Sequence, residues 1–211
     1  ERVTERMRRA MEAFNEGKIR EANIILDEAE RDGEIALQEF EQCKELLEEK
    51  RNNVLASIEE ILLKISTIQS DLSISPEDRN KKVEELYEQV ILMAQKVECE
   101  SVKNGELLFD YAYFLGEIAQ YPKALEYYFK ALDIREKVLG KGHPDTATSY
   151  SSIGSVYSNQ GDYPKALEYY FKALDIEEKV LGKGHPDTAT SYSSRGSVYS
   201  KQGDYHQALE C

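Results

Sequence analysis

Residues 121–162 read YPKALEYYFKALDIREKVLGKGHPDTATSYSSIGSVYSNQGD, and residues 163–204 write the same 42-residue block again. Three positions differ between the copies: Arg135/Glu177, Ile153/Arg195 and Asn159/Lys201. A third pass opens at Tyr205 and runs to Cys211. Self-similarity at this period marks units that cannot bury their apolar faces alone and that stack on their neighbours. The expectation is a solenoid.

Each unit divides into two helical halves. In residues 162–181 the apolar side chains fall at Ala166, Leu167, Tyr170, Ala173, Leu174, Ile176 and Val180, mostly three or four apart, which is one face of a helix. Asp162 suits the amino-terminal cap, and Pro164 stands in the first turn, where a missing N–H costs nothing. Gly182-Lys-Gly184 ends that helix, and the next begins near His185-Pro186-Asp187 with Ala189, Tyr192, Gly196 and Tyr199 on one side. The predicted spans are 145–159 and 187–201 for helix A, and 163–180 for helix B.

Read in this register, Tyr150, Ile153, Gly154, Tyr157, Gly161, Tyr163, Ala166, Tyr170 and Ala173 follow a pattern that resembles the tetratricopeptide repeat. The 42-residue period and the run ALDIREKVLGKGHPDTA at 131–147 look like the repeats of kinesin light chains, with similar repeats in bacterial multidomain signalling proteins. The resemblance covers residues 105–211. It implies an all-α fold: a right-handed superhelical array of antiparallel helix hairpins. Two residues depart from the pattern. Arg195 stands where an apolar residue belongs, and Ala119 where glycine usually breaks the helix. Arg195 is expected to reach towards solvent or an acid such as Asp204 or Glu210, and Arg195→Ile to stabilise by about 1 kcal/mol or more.

Composition narrows the function classes. Hydrophobic residues make up 41% of the 211, enough for a continuous core, and 11 of the 14 tyrosines fall in 121–211. The formal net charge is −13, and residues 1–120 hold 28 acidic against 16 basic side chains. An acidic amino half repels phosphate backbones and anionic lipid, so neither nucleic acid nor membrane is an expected partner. Cys43, Cys99 and Cys211 are odd in number and far apart, which argues against a disulfide framework and for a cytoplasmic, reduced protein. A chain that opens on Glu and stops within a helix reads as a fragment.

The amino half divides into helical segments. Residues 3–30 look like a worn hairpin, with Gly17, Ile19, Ala22, Leu26 and Ala29 at the spacing of Gly161, Tyr163, Ala166, Tyr170 and Ala173, and Asp32-Gly33 as a break. Residues 34–70 contain no proline or glycine and predict one long helix. Its seam of Phe40, Cys43, Leu47, Val54, Ile58, Ile61, Ile65 and Ile68 suits either a coiled coil between chains or packing against its own neighbours. Ser75-Pro76-Glu77-Asp78 starts a helix reaching about Glu100, with Val83, Leu86, Val90, Met93, Ala94 and Val97 inward. Residues 105–120 supply helix A of the first clear repeat, with Leu108, Tyr111, Ala112 and Leu115 packing. The expected domains are an acidic helical region, 1–102, and repeats at 103–144, 145–186 and 187–211.

No constellation for chemistry emerges. His143 and His185 are equivalent copies at the turn into helix A, and the cysteines offer no metal-ligand spacing. Gly140-Lys-Gly142 lacks the spacing of a phosphate loop, and the serines have no paired base. Neither enzyme activity nor a cofactor or metal is expected. In tetratricopeptide arrays helix A lines the concave groove, and the resemblance places there Phe109, Asp110 and Tyr113; Thr148, Ser151, Ser155 and Asn159; and Thr190, Ser193, Ser197 and Lys201. Small hydroxyls let a partner's backbone approach with little side-chain entropy to lose; a soluble filler face is the plainer reading of the same serines. Three functions stay open: a non-catalytic scaffold for a partner peptide or helix, a regulatory arm of a larger signalling protein, and a spacer. The short final helix B leaves its helix A with little cover, so self-association or fraying through residues 187–211 is expected.

Overall fold

The computed structural model describes residues 2–16, 18–31, 37–97 and 102–210, and among these the only regular structure is helix. Cys99, Cys211, Gly17, the Asp32-Gly33 break, and the side chains of Ile19, Phe40, Cys43 and Val97 lie outside what is described. The chain forms two units, residues 1–99 and 100–211.

In the first unit, α1 (Arg2–Asn15) pairs with α2 (Ile19–Arg31). Ala22, Leu26 and Ala29, which the spacing placed inward, are all buried, and Ala10, Ala13, Ile25 and Leu47 form one core with Ala22 and Leu26. The second hairpin joins α3 (Leu37–Ser70) to α4 (Pro76–Val97). Leu47, Ile58 and Ile65 of the α3 seam are buried where α3 packs on α2 and α4, and Val54, Ile61 and Ile68 are half-buried. Ser75 begins α4 as its sequence requires: its hydroxyl accepts from the Asp78 N–H at 3.2 Å and donates to that carboxylate at 2.7 Å. Val83, Val90 and Ala94 then face inward. No described helix is long and apolar enough to cross a membrane.

The second unit is a run of hairpins: α5 (Val102–Glu117) with α6 (Tyr121–Val138), α7 (Pro144–Gln160) with α8 (Tyr163–Val180), and α9 (Pro186–Gln202) with the short α10 (Tyr205–Leu209). The expected spans are met to within one residue at each end. His143 and His185 are helix caps, Nδ1 accepting from the Asp145 and Asp187 N–H groups at 3.1 and 3.3 Å. Behind each cap a fully buried threonine ties back to the preceding turn, Thr146 to the Gly140 carbonyl at 2.9 Å and Thr188 to Gly182 at 3.0 Å. The cap and the threonine fix the angle at which each helix A leaves the helix B before it.

Hairpins close where side chains are smallest. A Cβ on Gly154 would stand 3.1 Å from the Tyr170 ring and 3.2 Å from the Ala166 carbonyl, so helix A and helix B meet there almost backbone to ring. Ala147, Ala166 and Ala173 are fully buried beside that crossing, with Tyr170, Ile176 and Val198 filling the space around them. In the first repeat Ala112 stands one period before Gly154, between Tyr111 and Leu115, all three fully buried, and Tyr111 meets Tyr127 edge to face with centroids 4.7 Å apart.

Ala119 departs from the repeat in a measurable way. Helices α7 and α9 end on Gly161 and Gly203 at φ +81° and +80°, whereas the equivalent turn after α5 puts Ala119 at φ +59°. An L side chain in the left-handed region costs about 1–2 kcal/mol, and glycine gives back part of that through its freer unfolded chain. Ala119→Gly is therefore expected to stabilise the second unit by about 0.5–1 kcal/mol in urea unfolding, and Gly161→Ala to destabilise it by a similar amount.

Arg195 finds aromatic faces. It is half-buried, its guanidinium carbon lying 4.9 Å from the Phe171 ring centroid and 5.1 Å from that of Tyr192, while Ile153 at the same point of the previous repeat is fully buried. Stacking of this kind offsets part of the charge's desolvation, which reduces the gain expected of Arg195→Ile.

Candidate functional site

Helices α5, α7 and α9 lie side by side, each touching the next. Between α7 and α9 a pocket of about 310 Å³ opens. It gathers six of the residues placed in the groove from sequence: Ser155 and Asn159 from α7, and Thr190, Ser193, Ser197 and Lys201 from α9. Ser158, Ser194 and Tyr170 complete the lining. The hydroxyl-rich wall follows from the duplicated sequence, because Ser155 and Ser197 are the same residue of the repeat, one period apart.

Tyr170 is the floor of this pocket, and helix-A positions alone could not find it because it stands on helix B. Its hydroxyl lies 2.9 Å from Ser155 Oγ and also bonds Ser194, so one buried phenol ties α7 to α9. Burial raises the Tyr170 pKa, with the two serine bonds opposing, which keeps the phenol protonated as a donor near neutrality. Tyr128 repeats the arrangement one period earlier. It is buried, its pKa is raised chiefly by burial, its hydroxyl bonds Ser152 of α7, and Tyr113, Glu117 and Asp110 of α5 stand near enough to raise it further. Tyr128 and Tyr170 thus stand at equivalent points of two successive repeats.

The remaining candidates lie outside the pocket. Thr148 is exposed, and its hydroxyl donates to the Pro144 carbonyl within α7 at 3.2 Å. Ser151 is half-buried and lies 3.1 Å from Ser191 Oγ, in the seam between the repeats. Phe109 is half-buried, edge-on to Tyr128 with centroids 5.3 Å apart and covered on a face by the Arg135 guanidinium at 4.2 Å. Asp110 is exposed at the surface beside them, yet partial desolvation by its neighbours raises its carboxyl pKa, opposed by Arg135 and reinforced by Glu106. Tyr113 is 57% exposed. Lys201 Nζ reaches Ser158 Oγ at 3.3 Å across the pocket.

Hydroxyls, a carboxamide and one ammonium suit hydrogen bonding to a chain laid across the helices. Among the described residues no three His, Cys, Asp or Glu side chains gather as a metal site.

Comparison with known proteins agrees with the repeat pattern. The sequence profile of the tetratricopeptide repeat matches residues 104–176 and 151–211. No curated protein matches the chain in sequence. Among solved structures, BtubC (BKLC) from P. vanneervenii superposes with a TM-score of 0.59 at 20% identity, covering 99% of this chain and 87% of the other. A putative kinesin light chain from Podosopora anserina, built of nearly identical TPR-like repeats, gives 0.59 at 20% identity, with 99% and 90% covered. At such identities the likeness is one of fold.

Proposed function

Because the chain belongs to the tetratricopeptide-repeat family, a family of protein-interaction scaffolds, we propose that it is a non-catalytic scaffold whose α7–α9 pocket holds an extended segment of a partner protein. One observation carries this reading: two successive A helices present short hydroxyls and amide donors to the same open space, over a tyrosine that is already satisfied. Backbone N–H and C=O groups of an extended peptide match such a wall, since every residue brings one donor and one acceptor. Little rotamer entropy is lost on the protein side. The division into an acidic amino-terminal region and a repeat region near residue 102 belongs to the same proposal, as does a cytoplasmic setting.

The test is an array of decapeptides probed with the wild-type chain and with a Ser155→Glu, Ser193→Glu, Ser197→Glu variant. All three serines are exposed, so the variant is expected to keep the wild-type helical signal, with its melting temperature lowered only by the lost Ser155–Tyr170 bond. Peptides retained by the wild type are expected to lose about tenfold or more in affinity. Unchanged binding by the variant moves the site elsewhere.

A second reading has its own observation. Tyr205 and Leu209 on the five-residue α10 are 67% and 89% exposed, leaving an apolar edge beside α9. Self-association through residues 187–210 would cover it. Sedimentation of the 211-residue chain is then expected to show a concentration-dependent dimer that Leu209→Glu weakens; a monomer at every concentration removes this reading.

A further inference from the structure

Positions 106, 110, 113 and 117 form one line down α5, at helical steps of four, three and four. Adding one repeat period gives 148, 152, 155 and 159 on α7, and a second gives 190, 194, 197 and 201 on α9. The three lines read Glu-Asp-Tyr-Glu, Thr-Ser-Ser-Asn and Thr-Ser-Ser-Lys. Every member is exposed except Ser152 and Ser194, which are half-buried against the floor tyrosines. Formal charge along this face therefore steps from −3 to 0 to +1. The rest of the repeat is copied almost without change from α7 to α9, yet one of the three substitutions, Asn159/Lys201, falls on this line and puts the cation at its end.

We infer that the groove is electrically graded, and that its partner is an extended peptide with a basic side chain over α5 and a carboxylate side chain at Lys201. This deepens the groove reading proposed above and rests on it. At the α5 end, the exposed Tyr113 ring stands between Asp110 and Glu117 on the same line, a face and two carboxylates for one cation. Phe109 cannot serve that role, because Arg135 already occupies a face of its ring. At the α9 end, Lys201 is a single point charge among neutral hydroxyls, which matches a singly charged carboxylate better than a phosphate. Packed helices lie about 8–10 Å apart, so the two ends are roughly 20 Å from each other, a span of about six extended residues. A peptide with the opposite order of charges meets repulsion at both ends, so the gradient sets direction as well as affinity.

Decapeptides of Gly, Ser and Ala in four charge patterns test this with the whole chain: one pattern carrying Arg and Glu six residues apart, one Arg only, one Glu only, and one neutral. The doubly charged peptide is made in both orders. Titration followed by amide chemical shifts is expected to place the Arg-only peptide on α5 and the Glu-only peptide on α9. The doubly charged peptide in its favoured order is expected to bind about tenfold tighter than the neutral one at low salt, losing most of that advantage at about 0.5 M salt. Asp110→Asn with Tyr113→Ala is expected to remove the gain from Arg alone, and Lys201→Ala the gain from Glu alone, each about three- to tenfold. If all the peptides bind the groove equally, the gradient is wrong and the groove reading survives. If none binds, both fall. A gain from Glu that persists in Lys201→Ala also overturns the gradient.

Discussion

Ile153→Arg is expected to cost the second unit about 3–5 kcal/mol, although it only copies into one repeat the residue its neighbour already carries. The side chain of Ile153 is fully buried next to Gly154, where helix A approaches Tyr170 and the Ala166 carbonyl. A guanidinium there brings a charge and several donors into packed hydrocarbon, and helix B has closed too tightly to admit water. Arg195 escapes the same fate because it is half-buried over the rings of Phe171 and Tyr192. Urea unfolding followed by helical circular dichroism measures the difference. An Ile153→Arg loss below about 1 kcal/mol would mean that the crossing is looser than its geometry, while Arg195→Ile is expected to move stability by no more than about 1 kcal/mol in either direction.

This contrast marks what the repeat makes legible and what it hides. Helix boundaries in 121–204 are readable because caps are local: His143, Pro144, Gly161 and Asp162 each act within a few residues of themselves. The inward set is readable for the same kind of reason, as its spacing alone selects Tyr111, Ala112, Leu115, Ala166 and Ala173. What periodicity cannot give is the environment of a residue that differs between copies. Arg195 is readable as a misfit, but its ring partners come from two helices. Tyr170 escapes a sequence reading of the pocket because the family pattern assigns the groove to helix A, and a floor supplied by helix B has no signal of its own in the spacing. Register alone assigns Ser151 to the groove, yet its bond to Ser191 turns it into the seam between repeats.

Glu177→Gln is expected to stabilise the chain at neutral pH, by about 1–2 kcal/mol, and to leave it unchanged in acid. The equivalent residue one repeat earlier is Arg135, whose buried guanidinium donates to Ser149 Oγ at 2.8 Å and to the Asp145 carbonyl at 3.0 Å. Glu177 occupies the same place at 5% exposure with the sign reversed. It accepts from Ser191 at 3.1 Å through Oε1, while Oε2 is buried without a partner. Burial raises its pKa above the ordinary 4.5; Asp187 at the start of α9 adds to the shift, and the Ser191 bond and His185 oppose it. A raised folded-state value means that the neutral acid is the form the fold prefers. The contribution is fully present below about pH 4.5 and is lost as pH rises through the folded-state pKa. Glutamine keeps the shape and an acceptor for Ser191 but carries no charge at any pH. The stability curves of the wild type and of the Glu177→Gln variant should therefore coincide near about pH 4 and separate above it. Chemical denaturation at about pH 4 and about pH 8 decides the matter. Equal stabilities of the two proteins at both values would mean that water reaches Oε2, and that the seam between α8 and α9 is more open than its neighbour between α6 and α7.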